Sequence, residues 1–185
     1  ISEYGRNKKE IEKILVRIGK KKNFKSISFR YFNVAGADET AKIGECVRIE
    51  GPCFIGANAE IRHSAYLRKG SWICDGALVG HSTEVKNSIL LPGSKAPHFN
   101  YVGNSIIGIG ANLGAGAITA NMRNDKRNVL LWLSGRRVDS GTNKLGAMVG
   151  DGVSIGCNSV LNPGSVISPG LSFPPGSIIS GEVIS

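Results

Sequence analysis

One stretch of the chain, residues 93–121, combines a side chain suited to proton transfer with glycine-rich turns. His98 and Tyr101 lie three positions apart in this stretch. An imidazole has a pKa near neutrality, so His98 could accept the proton of an attacking amine as a general base. The same stretch contains the glycine-rich turn Gly114-Ala115-Gly116. Tight turns need glycine without any ligand, so this turn alone does not assign a site.

Basic side chains that could bind phosphate lie on both sides of this stretch. Arg68 and Lys86 precede it, and Lys126 lies in a polar segment at residues 119–148. Guanidinium and ammonium groups form charge-assisted hydrogen bonds with phosphate oxygens, and Arg does so in bidentate fashion. Taken singly, such residues are more often solvated surface charges. For His63 and His81, likewise, a position in a surface turn is the better interpretation.

A repeat of six residues sets the elements that would position these side chains. Each hexad is one short strand plus a turn that cannot bury its apolar side chain alone, so consecutive hexads must coil and stack. Each hexad has a large aliphatic residue, and two positions before it lies a small or β-branched residue such as Ala59 or Thr83. Large and small side chains could therefore alternate inside a narrow prism. The aliphatic residues at every sixth position are Ile43, Ile49, Ile55, Ile61, Leu67, Ile73, Val79 and Val85.

The repeat falls into two blocks. Its phase loosens after Val85 and returns at Val149, Ile155, Leu161, Ile167, Phe173 and Ile179. We expect an inserted loop at about residues 119–148 to separate the blocks, and such loops often carry functional residues. The alternative interpretation of this segment is an excursion with a short hairpin around Val129 to Leu133.

Composition and charge restrict the function classes. The 185 residues include 25 Gly and only 6% aromatics, which suits a stacked aliphatic core. The net charge of +9 includes a surplus of +5 in residues 1–39, but no nucleic-acid-binding motif accompanies it. The sequence has no membrane-length apolar run and no signal-peptide pattern, so we expect a cytoplasmic protein without membrane insertion or nucleic-acid partner. Its four cysteines lack paired metal-ligand spacing, so we predict reduced thiols and no metal site.

Residues 1–39 differ from the repeats and are predicted to form a separate segment. Apolar residues within residues 11–18 recur at the spacing of a helix. Residues 26–37, which follow, are typical of a strand that runs into a loop. The run Tyr4-Gly5-Arg6-Asn7-Lys8, together with residues 30–36, resembles UDP-glucose 4-epimerases, in which Tyr4 and Lys8 would be the catalytic pair. The glycine-rich βαβ unit that holds a dinucleotide does not occur in the sequence. We therefore expect no NAD site and no epimerase activity.

Residues 93–108, continued by residues 112–121, resemble the acetyltransferase half of the bifunctional enzyme that acetylates glucosamine 1-phosphate and then forms UDP-N-acetylglucosamine. They are closer still to stand-alone bacterial β-helix proteins described as UDP-N-acetylglucosamine pyrophosphorylase-like. The resemblance implies an all-β fold, a single-stranded left-handed parallel β-helix of hexapeptide repeats over residues 40–185. Residues 1–39 would be a short α/β appendage. The handedness rests on the resemblance, because the general crossover preference is right-handed.

The same resemblance implies roles for individual residues. His98 would be the catalytic general base, and Ala115 and Lys126 would contact acetyl-CoA as co-substrate. Five residues would bind the sugar phosphate: Arg68, Lys86, Tyr101, Asn112 and Asn121. Tyr101 could equally be a packing residue at a coil edge. The chain departs from the family in the long 119–148 loop and at Lys69, where the family usually has Pro.

These roles imply an acetyl-CoA-dependent N-acetyltransferase acting on an amino-sugar phosphate such as glucosamine 1-phosphate, in nucleotide-sugar or cell-envelope precursor synthesis. The family's trimeric prisms imply a homotrimer with active sites between subunits. One alternative is a non-catalytic β-helix module for nucleotide-sugar binding or trimerisation. Another is an inactive UDP-glucose 4-epimerase fragment fused to such a module.

The repeat also predicts a column of histidines. His63 and His81 each follow an in-phase aliphatic residue by two positions and are 18 residues, or one coil, apart. A five-residue step between Val85 and Leu90 makes His98 the next equivalent position. The three residues should be spaced by roughly 4.8 Å, the separation of adjacent strands. Stacked imidazoles would disfavour one another's charged forms and keep His98 neutral.

Overall fold

In a computed structural model, which describes residues 35–184, the chain winds into a parallel β-helix with three faces. Sheet A contains β1 (Ala35–Ala37), β4 (Cys53–Ile55), β7 (Ser71–Ile73), β10 (Ile89–Leu90), β13 (Ile106–Ile107), β18 (Met148–Val149), β21 (Val166–Ile167) and β24 (Glu182–Val183). Sheet B contains β2 (Lys42–Ile43), β5 (Glu60–Ile61), β8 (Leu78–His81), β11 (Lys95–His98), β14 (Asn112–Leu113), β19 (Ser154–Ile155) and β22 (Ser172–Phe173). Sheet C contains β3 (Arg48–Ile49), β6 (Tyr66–Leu67), β9 (Glu84–Lys86), β12 (Tyr101–Gly103), β15 (Ile118–Thr119), β20 (Val160–Leu161) and β23 (Ile178–Ile179).

The helix is left-handed and has about 8 turns, so the predicted fold class is confirmed. Each coil contributes one strand to each sheet in the order A, B, C, and every pairing between successive coils is parallel. Sheet pairing extends to β1, which precedes the boundary predicted at residue 40. The helix and strand predicted before residue 35, and the pair Tyr4 and Lys8, lie outside the described residues.

The hexad aliphatic residues form the core, as their spacing predicts. Ile55, Leu67 and Val85 are fully buried, and the small residues of the preceding slots, such as Ala59, are buried with them. This alternation fills the prism because large and small side chains interdigitate. Burial is incomplete at the ends, where Ile49 and Phe173 are partly buried and Ile43 is 45% exposed; Ile43 lies in the first described coil and has a neighbouring coil on only one side within residues 35–184.

The segment between the two blocks of coils leaves the prism after β15 and returns at β18. Within it, β16 (Leu130–Leu133) and β17 (Arg136–Asp139) form an antiparallel hairpin, close to where a short hairpin was predicted; a functional role of the segment stays a prediction. The hairpin packs on the last two coils, against β21 and β24. Gly164 permits this approach, because an added Cβ there would lie 2.6 Å from the carbonyl oxygen of Leu130.

Glu182 fastens the tip of the hairpin to the last coil. Its carboxylate oxygens accept hydrogen bonds from the backbone N–H groups of Ser134 and Gly135, at 2.8 and 3.0 Å. These bonds lower the pKa of Glu182 below that of an ordinary carboxyl group. The insertion, which begins after β15 of the fifth coil, is therefore fastened to β24 at the end of the prism.

No helix in the described part of the chain is long and apolar enough to cross a membrane.

Candidate active site

The histidine column forms along the edge between sheets B and C. His98 at the end of β11 pairs in register with His81 at the end of β8, so their Cα atoms are adjacent-strand neighbours. The backbone column of the prediction is thus confirmed. The rings of His63 and His81 stack with centroids 4.2 Å apart.

The predicted stack of three rings is wrong, because within the described residues the stack ends at His81. Phe99 turns the corner after β11 with a φ of 51°. Its exposed ring meets the ring of His81 edge-on, with centroids 5.3 Å apart, and lies tilted 6.3 Å from that of His98. Ring geometry therefore does not support tuning of His98 by a stacked imidazole. His98 itself is exposed at the corner, where a substrate can reach it.

A buried amide links the His98 corner to the next coil. The side-chain oxygen of Asn100 accepts the backbone N–H of His98 at 3.1 Å, and its Nδ2 donates to the carbonyls of Gly114 and Ala117. Asn100 is only 2% exposed. We did not single it out from the sequence. The available signal was an amide in one of the small inward slots of the repeat, two positions before the core residue Val102.

Ala115 is the next member of the histidine column, one coil beyond His98. The N–H of Gly116 donates to the carbonyl of His98 at 3.0 Å, which joins the two corners. At equivalent turn positions the N–H groups of Ala57 and Ile109 donate to aspartates of the following coil. In the coil that follows Ala115, Cys157 is at the position where those aspartates lie. The Ala115 N–H consequently has no acceptor among residues 35–184, and it belongs to the corner one coil beyond His98.

Arg68 crosses the outer surface of sheet C. Its Nη1 donates to Glu84 Oε1 at 2.9 Å, and its guanidinium carbon lies 5.8 Å from the centroid of the Tyr66 ring. Both side chains of the ion pair are about one-third exposed. The guanidinium is thus held over the face between the His98 corner and the sheet A corner, with donors left for a ligand.

Tyr101 lies on the same face and covers Gly103. An added Cβ at Gly103 would lie 2.6 Å from the Tyr101 hydroxyl oxygen, so the glycine leaves the space that the ring occupies. Burial, followed by the charge of Glu84, raises the pKa of Tyr101. A neutral phenol donates a hydrogen bond to phosphate, so this shift preserves Tyr101 as a donor. Gly103 is a further residue that the sequence interpretation missed.

Lys86 lies at the corner between sheets C and A, in register with Gly103. Its pKa is lowered, first by burial and then by the charges of Lys144 and Arg68. Nearby Asn121 donates through Nδ2 to Asn104 Oδ1 at 2.6 Å. This corner therefore concentrates positive charge that a bound anion would relieve.

Two predicted residues lie apart from these groups. Asn112 projects from β14 beside Lys95 on sheet B and is half-buried. Lys126 is exposed in the insertion, where its N–H donates to the carbonyl of Arg123. Neither contacts His98 or the cations of sheet C through a hydrogen bond or ion pair in the described range. Their predicted roles remain predictions.

The cysteines and acidic residues give no sign of a metal centre. Within residues 35–184 no three His, Cys, Asp or Glu side chains come close enough to hold an ion. Cys53 occupies the small inward slot expected of it, and burial raises the pKa of its thiol.

The coils of three strands, the hexad core and the left-handed winding define a hexapeptide-repeat β-helix. A solved structure of a hexapeptide transferase family protein from Anaplasma phagocytophilum shares this fold, with a TM-score of 0.58 and 21% identity over 80% of this chain and 74% of that one. No family model matches the chain.

Among curated relatives, the bifunctional sugar-1-phosphate nucleotidylyltransferase/acetyltransferase of Sulfurisphaera tokodaii is 39% identical across 82% of this chain and 42% of its own length. The bifunctional protein GlmU of Acinetobacter baylyi is 36% identical across 70% of this chain and 25% of its own length. The chain thus spans less than half the length of these relatives. They confirm the resemblance to bifunctional nucleotidyltransferase/acetyltransferases and give the epimerase resemblance no support.

Proposed function

We propose that this chain is an acetyl-CoA-dependent N-acetyltransferase whose acceptor is an amino-sugar phosphate such as glucosamine 1-phosphate. The observation that carries the proposal is the corner where the exposed imidazole of His98 lies one coil below the unpaired N–H of Ala115. Sheet C carries the Tyr101 phenol, and its other corner carries the guanidinium of Arg68 and the ammonium group of Lys86. The relative from Sulfurisphaera tokodaii, whose name combines acetyl transfer with sugar 1-phosphates, supports the same reaction.

The corner provides the two functions that acyl transfer to an amine requires. The amino nitrogen attacks the thioester carbonyl, a C–N bond forms, and the carbonyl oxygen becomes an oxyanion beside the N–H of Ala115. His98 removes the proton from the attacking nitrogen. The C–S bond then breaks, and the imidazolium returns that proton to the CoA thiolate. Asn100 keeps the His98 backbone in place through these steps.

Sheet C would bind the phosphate of the acceptor. Arg68 and Lys86 supply positive charge, Tyr101 supplies a neutral donor, and Asn121 lies at the same corner. No NAD is needed, because the reaction transfers an acyl group without oxidation. A cytoplasmic location and a place in nucleotide-sugar or cell-envelope precursor synthesis belong to this proposal, since acetyl-CoA and sugar phosphates are metabolites of that compartment.

The proposal includes a homotrimer. An apolar row runs along the outer surface of sheet A, in register from strand to strand: Phe54, Trp72, Ile89, Ile106, Met148 and Val166. Phe54 and Trp72 are 44% and 51% exposed although their rings contact each other. The exposed apolar side chains of such a face become buried when it associates with a copy of the same chain. Its edge adjoins the Lys86 corner, so a neighbouring subunit would close the phosphate site.

Replacement of His98 tests the catalytic assignment. With acetyl-CoA and glucosamine 1-phosphate, thiol release should fall about 10²–10⁴-fold in His98→Asn, while the acceptor KM changes little. His63→Asn is the matched control, because it removes an imidazole of the same column two coils away. Full activity of His98→Asn would remove the catalytic claim. Absence of transfer by the unaltered protein would favour a binding or trimerisation module instead.

A further inference from the structure

We propose that the exposed ring of Phe99 is a platform for the pyranose ring of the acceptor and orients that ring beside His98. The inference rests on the proposed function, which it deepens by naming the side chain that receives the carbon skeleton of the sugar. Phe99 follows β11 directly, at the corner between sheets B and C.

Phe99 is unusual for the corner position that it occupies. In the coils before and after it, the equivalent residues are small or polar, and all have a positive φ: Ser64, Ser82, Gly116 and Asn158. A bulky side chain rarely adopts this left-handed conformation. The ring of Phe99 gains little burial there, because it is 59% exposed. Packing therefore does not explain the residue, and unfavourable backbone conformations of this kind are concentrated at functional sites.

The ring of Phe99 presents an open aromatic face. Its contact with His81 is edge-on, with centroids 5.3 Å apart and an interplanar angle of 77°. Its ring is tilted by 42° against that of His98, at 6.3 Å. Neither ring stacks on Phe99 face to face, so at least one face is uncovered in the described part of the chain. Because an aromatic face carries partial negative charge, it attracts the C–H hydrogens of a sugar ring.

The Phe99 ring lies on the side of His98 where the acceptor skeleton belongs. Its nearer ring is that of His81, in the coil before His98, whereas the Ala115 N–H assigned to the thioester oxygen belongs to the coil beyond. An amine held at His98 has the thioester on the Ala115 side, so its carbon skeleton extends toward the other side.

The separation of the two rings suits an amino sugar. Carbon atoms that rest on an aromatic face lie about 3.5–4.0 Å from it. A general base lies about 3 Å from the nitrogen whose proton it removes. Both contacts can be made at once by a pyranose ring on Phe99 whose amino group reaches His98, because the two centroids are 6.3 Å apart.

Steady-state acetyl transfer by Phe99→Ser tests the platform. Serine has the same backbone conformation at Ser82, so the substitution removes the ring and leaves the corner as it is. The KM for glucosamine 1-phosphate should rise about threefold to tenfold, as for the loss of one aromatic contact. The kcat and the KM for acetyl-CoA should change little. Phe99→Tyr should behave like the unaltered protein, and so should the matched control Cys46→Ser, at the equivalent corner of the first described coil.

Binding measurements on the full chain separate the ring contact from turnover. By calorimetry, Phe99→Ser should bind glucosamine 1-phosphate about threefold to tenfold more weakly and bind inorganic phosphate unchanged, because the platform contacts only the sugar. In the unaltered protein, nuclear Overhauser effects should connect the ring protons of Phe99 with C–H protons of the bound sugar.

Four results would overturn the inference. An unchanged KM for the sugar in Phe99→Ser, or an equal rise in Cys46→Ser, would show that the ring does not bind the acceptor. A loss confined to kcat would make the ring a support for His98, and faster transfer from propionyl-CoA would place it against the acyl group. Sugar binding that depends on Phe99 without any acetyl transfer would refute the proposed reaction and leave the platform standing.

Discussion

At the scale of single residues, the space above Gly103 determines where the Tyr101 phenol can lie. In Gly103→Ala the new methyl group would occupy the position of the ring, and Tyr101 must swing away because its hydroxyl is the atom in closest conflict. We expect the KM for glucosamine 1-phosphate to rise about tenfold, as for the loss of one charge-assisted hydrogen bond, with kcat little changed. Steady-state kinetics at saturating acetyl-CoA would measure this.

Gly36→Ala is the control for that substitution. Gly36 has no neighbour within 4 Å of the added methyl group and lies in a strand, as Gly103 does. It should leave both kinetic constants unchanged. If Gly103→Ala behaved like the control, Tyr101 would be a packing residue at the coil edge, which is the alternative role considered for it.

The lowered pKa of Lys86 predicts how phosphate binding depends on pH. Burial and the charges of Lys144 and Arg68 disfavour its protonated form, while Glu84 favours it. Phosphate binds the protonated ammonium, so affinity should decline as pH rises through a pKa below that of an ordinary lysine. Removing the Lys144 charge should raise the pKa of Lys86 and move its titration to higher pH. NMR titration of the Lys86 side chain in the free protein would show the direction; a shift to lower pH would contradict it.

At the scale of elements, the hairpin β16–β17 depends on one carboxylate of the last coil. Glu182→Gln should loosen the hairpin tip, because a neutral amide accepts the two N–H groups more weakly than a carboxylate. The expected result is faster amide exchange at Ser134 and Gly135, with little change in the coils. Glu45→Gln, on an exposed turn of the first coils, is the control.

The same contact has a defined pH dependence. Since the folded-state pKa of Glu182 is lowered, its stabilising contribution is present above the usual carboxyl pKa and is lost as pH falls through the lowered value. The protection of the two amides, taken relative to the intrinsic exchange rate at each pH, should therefore fall in acid in the unaltered protein. If the two amides exchanged at the same rate in Glu182→Gln and in the unaltered protein at neutral pH, the hairpin tip would not depend on the Glu182 carboxylate.

At the scale of the whole molecule, the apolar row on sheet A predicts self-association. Trp72→Glu places a charge in the middle of the row and should convert a trimer into monomers, as measured by sedimentation velocity at micromolar concentration. Ile178→Glu is the control, because Ile178 is 78% exposed on sheet C, outside the row. A monomeric unaltered protein would contradict both the trimer and the shared site, and a trimeric Trp72→Glu protein would place the interface on another face.

The sequence predicted those parts of the molecule that follow from a local period. The hexads give the strand positions, and the five-residue step before Leu90 correctly placed His98 beside His81. The hexad repeat does not predict contacts made by segments that lack the repeat. Lys144 comes near Lys86 because the insertion returns to Asn121. At the third imidazole, Phe99 stands at the corner position that Ser64 and Ser82 hold in the earlier coils, and its ring, not that of His98, lies against His81. The hexad pattern puts Asn100 in an inward slot but does not predict its three hydrogen-bond partners, because two of them belong to the next coil.

The insertion between β15 and β18 has a consequence for how such a protein can diverge. Thr119 and Val149 both point into the core, and the coils on either side keep their register regardless of what the intervening chain does. Lengthening a surface excursion costs little additional closure entropy. The β-helix is therefore a constant scaffold, and the insertion can change in sequence and length without altering it. Sequence changes confined to these thirty residues, 119–148, therefore need not disturb the catalytic corner proposed around His98.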